Sequence, residues 1–332
     1  MNNVARILAG DVGGTKTVLS LYDGSEADLR QVREGTYPSQ DHDSLDEILL
    51  KFLKKENSPA PRAICLGVAG AVIEGKSNIT NLPWELDEMD LARVTGVSRV
   101  KLLNDLEAAA YGMLHLEEDE LAVLNRGAEP ARTGNCAVIA AGTGLGEALL
   151  FWDGEQHQVM ASEGGHADFA PRTDEEIELL KYLREKYGGH VSYERVLSGP
   201  GFFNIYCFLR DSGYAPEPDG MKEKFGSGDP SAVVTKAGLE DKDPLSVRTL
   251  ELFASLYGAE AGNLALKCLA VGGVYIGGGI APKILPTLRA GHFMEGFTDK
   301  GRFSDLVGSM PVSVALNPRT PLLGAAHYAL RL

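Results

Sequence analysis

One pattern occurs twice in this chain and narrows the folds open to it. Leu8–Ser20 reads LAGDVGGTKTVLS: a short apolar strand, the turn Gly10-Asp11-Val12-Gly13-Gly14-Thr15, and a second apolar run from Val18. Val138–Gly154 reads VIAAGTGLGEALLFWDG, again strand, Gly/Thr-rich turn and strand. Both exit through an aromatic residue followed by Asp-Gly, as Tyr22-Asp23-Gly24 and Trp152-Asp153-Gly154. Matching turns and matching exits point to a duplicated half-domain. Chance likeness of two hairpins is the competing explanation, because Gly and Thr are ordinary turn residues.

Read alone, the first loop fits two roles. A glycine turn between strands leaves backbone N–H groups bare and can cradle a phosphate. It can equally be a plain hairpin turn in which Gly supplies positive φ and Asp a local hydrogen bond. Asp11 suits a bare anion cradle badly, since its carboxylate repels phosphate. It fits if a cation such as Mg²⁺ lies between the two.

The remaining pattern is a mixed α/β order. Leu29–Tyr37 is expected as a third strand. Leu45, Ile48, Leu49, Phe52 and Leu53 fall on one helix face, with Ser44 and Glu47 as a capping box. Strands at Ala63–Ala71 and Val100–Leu103 alternate with helices at Asp87–Thr95 and Leu106–Leu114. Three strands followed by helix–strand–helix–strand–helix give a sheet that is part antiparallel and part parallel, with helices on its faces. Further on, residues 174–211 read as helical with glycine breaks, 211–229 as a polar loop, and Pro244–Leu269 as a long helix. Gly272–Pro282 reads as a strand ending in a glycine turn before a helix at Lys283. Pro311–Leu316 reads as a last strand and Pro321–Leu330 as a last helix.

The length of 332 residues suggests about two domains. A net charge of -14 with no basic block argues against nucleic acid or an anionic membrane as partner. Cys65, Cys136, Cys207 and Cys268 lie far apart in apolar surroundings and read as buried thiols. No leader is expected at the N-terminus, and the uncharged run from Cys268 to Pro282 is too short to span a bilayer.

Three glycine turns now follow apolar strands: Gly10–Thr15, Gly142–Gly146 and Gly277–Gly279. Two such hairpins could hold a triphosphate from both sides, and the third could pass close to a base or ribose. None matches a P-loop or a dinucleotide fingerprint. Asn104-Asp105 stands where a strand meets a helix. Either it is a helix cap, or Asp105 is a base kept ionised by the helix terminus and aimed at a hydroxyl. In Ser162-Glu163-Gly164-Gly165-His166, Glu163 and His166 have the chemistry to ligate a metal or to bond a polyol. Glu194 is a polyol candidate or a solvated helix residue.

These motifs together resemble the bacterial glucokinases that lack the repressor/ORF/kinase zinc signature, within the actin/hexokinase/Hsp70 ATPase superfamily. The resemblance is carried by Gly10–Thr15, Leu103-Asn104-Asp105, Ala141–Gly146, Ser162–His166, Glu194–Gly201 and Gly277–Pro282, in family order across nearly the whole chain. It implies duplicated ribonuclease H-like mixed-sheet α/β domains forming two lobes around a cleft that close on glucose. Residues 1–113 with 318–332 would form the small lobe, with the first phosphate loop and the base. Residues 114–317 would form the large lobe, with the second loop, the sugar ligands and the adenosine loop. The implied reaction is ATP-dependent phosphorylation of D-glucose at its 6-hydroxyl, with Asp105 as general base. Asn104, Asp105, Glu163, His166 and Glu194 would hold the sugar, and Thr80-Asn81 would line the same pocket. Gly10, Asp11, Val12, Gly13, Gly14 and Thr15 with Gly142, Thr143 and Gly144 would contact phosphates. Gly277, Gly278 and Gly279 would contact the adenosine, and Asp11 would act on Mg²⁺ through water. The resemblance also implies a cytoplasmic homodimer acting in glycolysis. Lys16 departs from the Asn often found there in relatives. A kinase for another hexose or amino sugar is the alternative on the same scaffold. A non-catalytic sugar sensor is the alternative from another class.

Overall fold

A computed structural model describes residues 5–26, 28–54, 59–79, 81–128 and 132–332. The chain forms two compact units, Met1–Glu118 with Asn317–Leu332, and Asp119–Leu316.

In the first unit, β1 (Ala5–Val12), β2 (Lys16–Ser25) and β3 (Asp28–Pro38) form an antiparallel meander. Helix α1 (Leu45–Leu53) leads to β4 (Ala63–Val68), which pairs parallel with β1. A small hairpin, β5 (Lys76–Asn78) and β6 (Glu85–Asp87), precedes α2 (Glu88–Thr95). Then β7 (Val100–Asn104) pairs parallel with β4 and runs into α3 (Asp105–Met113). The sheet order is β3-β2-β1-β4-β7. β4 is buried along its whole length, as expected for a central parallel strand with both faces covered. Leu8, Leu19, Leu49, Phe52, Ile64 and Leu66 belong to one core.

In the second unit, β8 (Leu121–Asn125) lies at one edge. β9 (Cys136–Ala141), β10 (Leu145–Trp152) and β11 (His157–Ser162) repeat the antiparallel meander. The helices α4 (Asp174–Tyr187), α5 (Gly199–Asp211), α6 (Met221–Ser227), α7 (Pro230–Lys236) and α8 (Pro244–Cys268) follow. β12 (Gly273–Gly277) then pairs parallel with β9. α9 (Leu285–Arg289), α10 (His292–Thr298) and α11 (Ser304–Gly308) lead to β13 (Val312–Ala315), parallel to β12. The order β11-β10-β9-β12-β13 matches the first sheet strand for strand, and β8 is added beyond it. Each unit is therefore the mixed ribonuclease H-like sheet, and the two hairpins are equivalent parts of a repeat. The exits differ in detail. β2 continues through Asp23, which pairs with Arg6, whereas β10 ends at Trp152 and Asp153 closes a turn.

Two local readings change. Residues 211–229 are not all loop: α6 forms there, Met221 is buried, and the Phe225 ring packs on Phe203 and Tyr206 at 5.0 and 5.2 Å. Those apolar residues were too sparse to show a period. The box at Ser44 is half formed, with Ser44 accepting the Glu47 N–H. The reciprocal box is at Asn104 and Glu107, at the start of α3.

In the first unit, α3 crosses the C-terminal helix Thr320–Arg331 at glycines on both sides. A Cβ on Gly324 would overlap the Ala108 carbonyl, and one on Gly112 the Thr320 carbonyl. Gly324→Ala must push the helices apart. It should cost about 2 kcal/mol or more by chemical denaturation, since overpacking a tight crossing is destabilising. A variant as stable as wild type would contradict this geometry.

Candidate active site

The first turn is shorter than its glycine pattern suggests. Gly10 and Val12 belong to β1 and not to the turn. A Cβ on Gly10 would crowd Leu19 and Leu66, and Val12 is fully buried with its carbonyl accepting the Ala69 N–H. Glycine at position 10 thus serves strand packing. The turn itself is Gly13-Gly14-Thr15. The Gly13 N–H donates to the Lys16 carbonyl (3.0 Å), and Ser39 pins the loop by donating its N–H to Thr15 O and its hydroxyl to Gly13 O. Ser39 gave no signal in the sequence, because its contact depends on where β3 ends. The N–H groups of Gly14 and Thr15 make no hydrogen bond among the described residues.

The second turn repeats this arrangement. The Gly142 N–H closes on Gly144 O (2.8 Å), which leaves the N–H groups of Thr143 and Gly144 similarly unused among the described residues. Paired bare N–H groups at a turn suit phosphate oxygens.

Three other segments of the second unit close on this turn. The Gly199 N–H at the start of α5 donates to Gly142 O at 2.8 Å. Gly278, at φ +79°, passes over the backbone of Ala141, where any side chain would clash, and the Ile280 N–H donates to Ala141 O. Gly277 is buried at the end of β12, while Gly278 and Gly279 are exposed. The buried Tyr257 hydroxyl ties β9 to β12, accepting the Ala141 N–H (3.1 Å) and lying 3.2 and 3.4 Å from the carbonyls of Ile139 and Gly277.

Glu194 joins the sugar candidates to this turn. Its Oε2 accepts the Leu145 N–H (3.1 Å) and occupies the space a Cβ on Gly144 would need. The exposed Glu163 and His166 flank Gly164 and Gly165 in a short 3₁₀ turn. That turn packs on the one at Tyr193–Arg195. The Tyr193 N–H donates to Ala167 O, and His190 Nε2 bonds His166 O. Glu163, His166 and Glu194 are thus carried by two adjoining turns of one unit.

In the first unit, Asp11 and Asp105 stand at the C-terminal ends of β1 and β7, flanking β4. This is the end of a parallel sheet where α/β proteins bind ligands. Gly67, paired with Asp11 across the ladder, lets Ala108 of α3 come close to β4. Asp105 is exposed at the first position of α3, with Oδ1 accepting the Leu106 N–H. Burial, and then the charge of Asp105, push the Asp11 pKa up; Lys16 and Arg319 oppose the shift. Arg319 is also paired with Glu34 at 2.6 Å.

The Asn104 side chain is largely committed to structure. Its Oδ1 accepts the Leu106 N–H and its Nδ2 donates to Gly70 O. Asn81 is exposed in the β5–β6 loop at φ +64°, a conformation Asn tolerates better than most residues. Thr80 lies outside the described residues.

Among the described residues, no group of three or more His, Cys, Asp or Glu side chains is placed to hold a metal by itself. Asp11 with Asp105 in its field is a two-carboxylate set. That suits an Mg²⁺ that keeps waters and takes its other ligands from substrate phosphates.

The geometry at Gly144 yields a direct test. Gly144→Ala should displace the Glu194 carboxylate from the Leu145 N–H, and amide hydrogen exchange at Leu145 should speed up. Unchanged protection there would show that Glu194 does not hold the turn.

Comparison with known proteins gives the family. The glucokinase family model matches residues 8–332. A glucokinase of Nostoc punctiforme is 45% identical, covering 98% of this chain and 99% of its own. The crystal structure of a glucokinase from an Antarctic psychrotroph is 30% identical and covers 99% of both chains, with a TM-score of 0.87. A glucokinase of Balamuthia mandrillaris, solved in complex with glucose, is 23% identical and covers 99% of this chain and 94% of its own, with a TM-score of 0.77, and it shares the fold. The chain belongs to the glucokinase family and is an enzyme of that family.

Proposed function

We propose that this enzyme transfers the terminal phosphoryl group of ATP to the 6-hydroxyl of D-glucose, with Asp105 as general base. The observation that carries the reading is the placement of Asp105 in the first unit. It is an exposed carboxylate on a helix N-terminus, in the electrostatic field of a second carboxylate, Asp11, which adjoins a turn with two bare N–H groups. The helix terminus favours the ionised form of Asp105, as a base requires.

In this mechanism Asp105 accepts the proton of the 6-hydroxyl as its oxygen attacks the terminal phosphorus in line, and ADP leaves. Glu163 and Glu194 accept hydrogen bonds from sugar hydroxyls, and His166 donates or accepts. The remaining N–H of the Asn104 amide is available to a hydroxyl. The N–H groups of Gly14, Thr15, Thr143 and Gly144 bond phosphate oxygens, while Gly278 and Gly279 allow close approach of the nucleoside. Lacking side chains, these glycines place fixed backbone dipoles where phosphate charge must be stabilised. Asp11 would hold Mg²⁺ through water, and the ion would neutralise phosphate charge during transfer. Asn81 adds a contact at the rim of the sugar pocket. The same reading makes the enzyme a cytoplasmic homodimer at the entry to glycolysis.

A coupled ADP-release assay over a panel of sugars tests the reading. Glucose should be the best acceptor, and faster turnover of fructose or an N-acetylated sugar would replace it with another hexose kinase. Asp105→Asn should lower kcat by about 10²–10⁴-fold with little change in glucose affinity; retained kcat would remove Asp105 as the base. Chelating Mg²⁺ should abolish turnover and adding it back should restore it. Activity that survives chelation would argue against the role given to Asp11.

A further inference from the structure

The glycine turn that carries Glu163 and His166 rests on β10. Glu147, the third residue of that strand, is 1% exposed, in a run whose other side chains are apolar. Its Oε1 is buried and has no hydrogen-bond partner among the described residues. Its Oε2 lies against Gly164: a Cβ there would overlap this oxygen and would stand 2.9 Å from Ser162 Oγ. Ser162 pairs with Glu147 across the ladder and accepts the Gly164 N–H at 2.8 Å. Gly165 lies in the same way on the Leu145 carbonyl. The Gly-Gly pair therefore lets the turn sit directly on Leu145–Glu147, with the exposed Glu163 and His166 flanking the pair in sequence.

We propose that Glu147 is a positioning residue for the sugar contacts of Glu163 and His166: the turn that bears both is seated on its carboxyl group, and the charge on that group sets how they are presented. This rests on the assignment of Glu163 and His166 to the sugar.

The surroundings make that charge responsive. Glu260 of α8 is fully buried nearby; Asn263 donates to it at 2.9 Å, and its counter-cation Lys267 lies at 3.4 Å. The Tyr193 hydroxyl bonds Asn263 and interacts with Glu260, Tyr257 feels the field of Glu147, and Lys300 feels that of Glu260. The nearby cation is thus engaged by Glu260. Burial first, and then the charge of Glu260, push the Glu147 pKa up to about 7, with Lys267 opposing. A neutral carboxyl tolerates close contact with Gly164. An ionised one, buried without a partner, must draw in water or turn away, and either response moves the seat of the turn.

The test measures sugar KM and kcat from about pH 6 to about pH 8.5 for wild type, Glu147→Gln and Glu260→Gln, using the best sugar of the panel. Failure of the glucose assignment therefore leaves this test intact. Wild-type sugar KM should rise about three- to tenfold across the range, a coupling of up to one pKa unit, with kcat changing less. Glu147→Gln should keep the low-pH KM throughout, and Glu260→Gln should move the midpoint of the rise to lower pH. The pKa of Glu147 is raised in the folded state, so its contribution to stability is present at low pH and lost as pH rises through about 7. The melting temperature of Glu147→Gln should therefore gain on wild type as pH rises from about 4.5 to about 7 and keep that margin above it. A pH-independent wild-type KM, or a wild-type KM profile in Glu147→Gln, overturns the proposal while leaving the kinase reading standing. Should Glu147→Gln fail to fold, an unmoved midpoint in Glu260→Gln overturns it.

Discussion

Where Gly278 passes over the backbone of Ala141, there is no room for a Cβ, and its φ of +79° is one that side-chain-bearing residues rarely adopt. The same constraint recurs at Gly144 against Glu194, Gly164 against Glu147 and Gly165 against the Leu145 carbonyl. Each missing Cβ brings one backbone or one carboxylate within bonding reach of the next. The second unit's candidate site depends on these approaches. Without them the Leu145 N–H would lose Glu194, and the turn carrying Glu163 and His166 would lift from β10. Most of the other contacts, such as Gly199 on Gly142 and Ile280 on Ala141, are ordinary backbone hydrogen bonds that become possible once the segments are this close.

The repeat explains why this arrangement is available twice. A meander followed by parallel strands leaves a hairpin turn at the same sheet end as the C-terminal ends of the parallel strands. In the first unit that end holds Asp11 and Asp105; in the second it holds the turn at Gly142 and the glycines after β12. The two copies have diverged in what braces the turn. Ser39 at the end of β3 bonds Gly13 and Thr15 in the first. In the second, Glu194 and the start of α5 do so.

The order of strands and helices was legible because β1, β4 and β9 are short apolar runs bounded by turn residues, and α1 shows a clean helical face. The small elements were not. β5 and β6 have three residues each, too few for any period to emerge. At the site, the glycine turns and the Glu163–His166 block were readable because residue type alone signals their chemistry. The strand positions Gly10 and Val12 were not separable from the turn, since only the ladder shows where strand ends and turn begins. Glu147 did leave a signal: a carboxylate in the apolar run LGEALL. Reading it as structural or functional required knowing that Gly164 lies on it. Tyr257 was hidden because a tyrosine in a long apolar helix looks like core until its hydroxyl is seen to join two strands.

An enzyme with a net charge of -14 that handles a nucleoside triphosphate must solve its electrostatics locally. The structure offers the means in two forms. Backbone N–H groups at the glycine turns carry partial positive charge without a counter-anion of their own, so they attract phosphate at no cost in ion pairing. Lys16 and Arg319 act on Asp11 and offset its repulsion with Asp105. Two carboxylates held this way are poor partners for a bare phosphate but good ones for a phosphate that arrives with its metal. On this argument the acid at the end of β1, beside the glycine turn, would be a selection device. With the Mg²⁺ role proposed for Asp11, productive binding of the polyanion would be conditional on the cation.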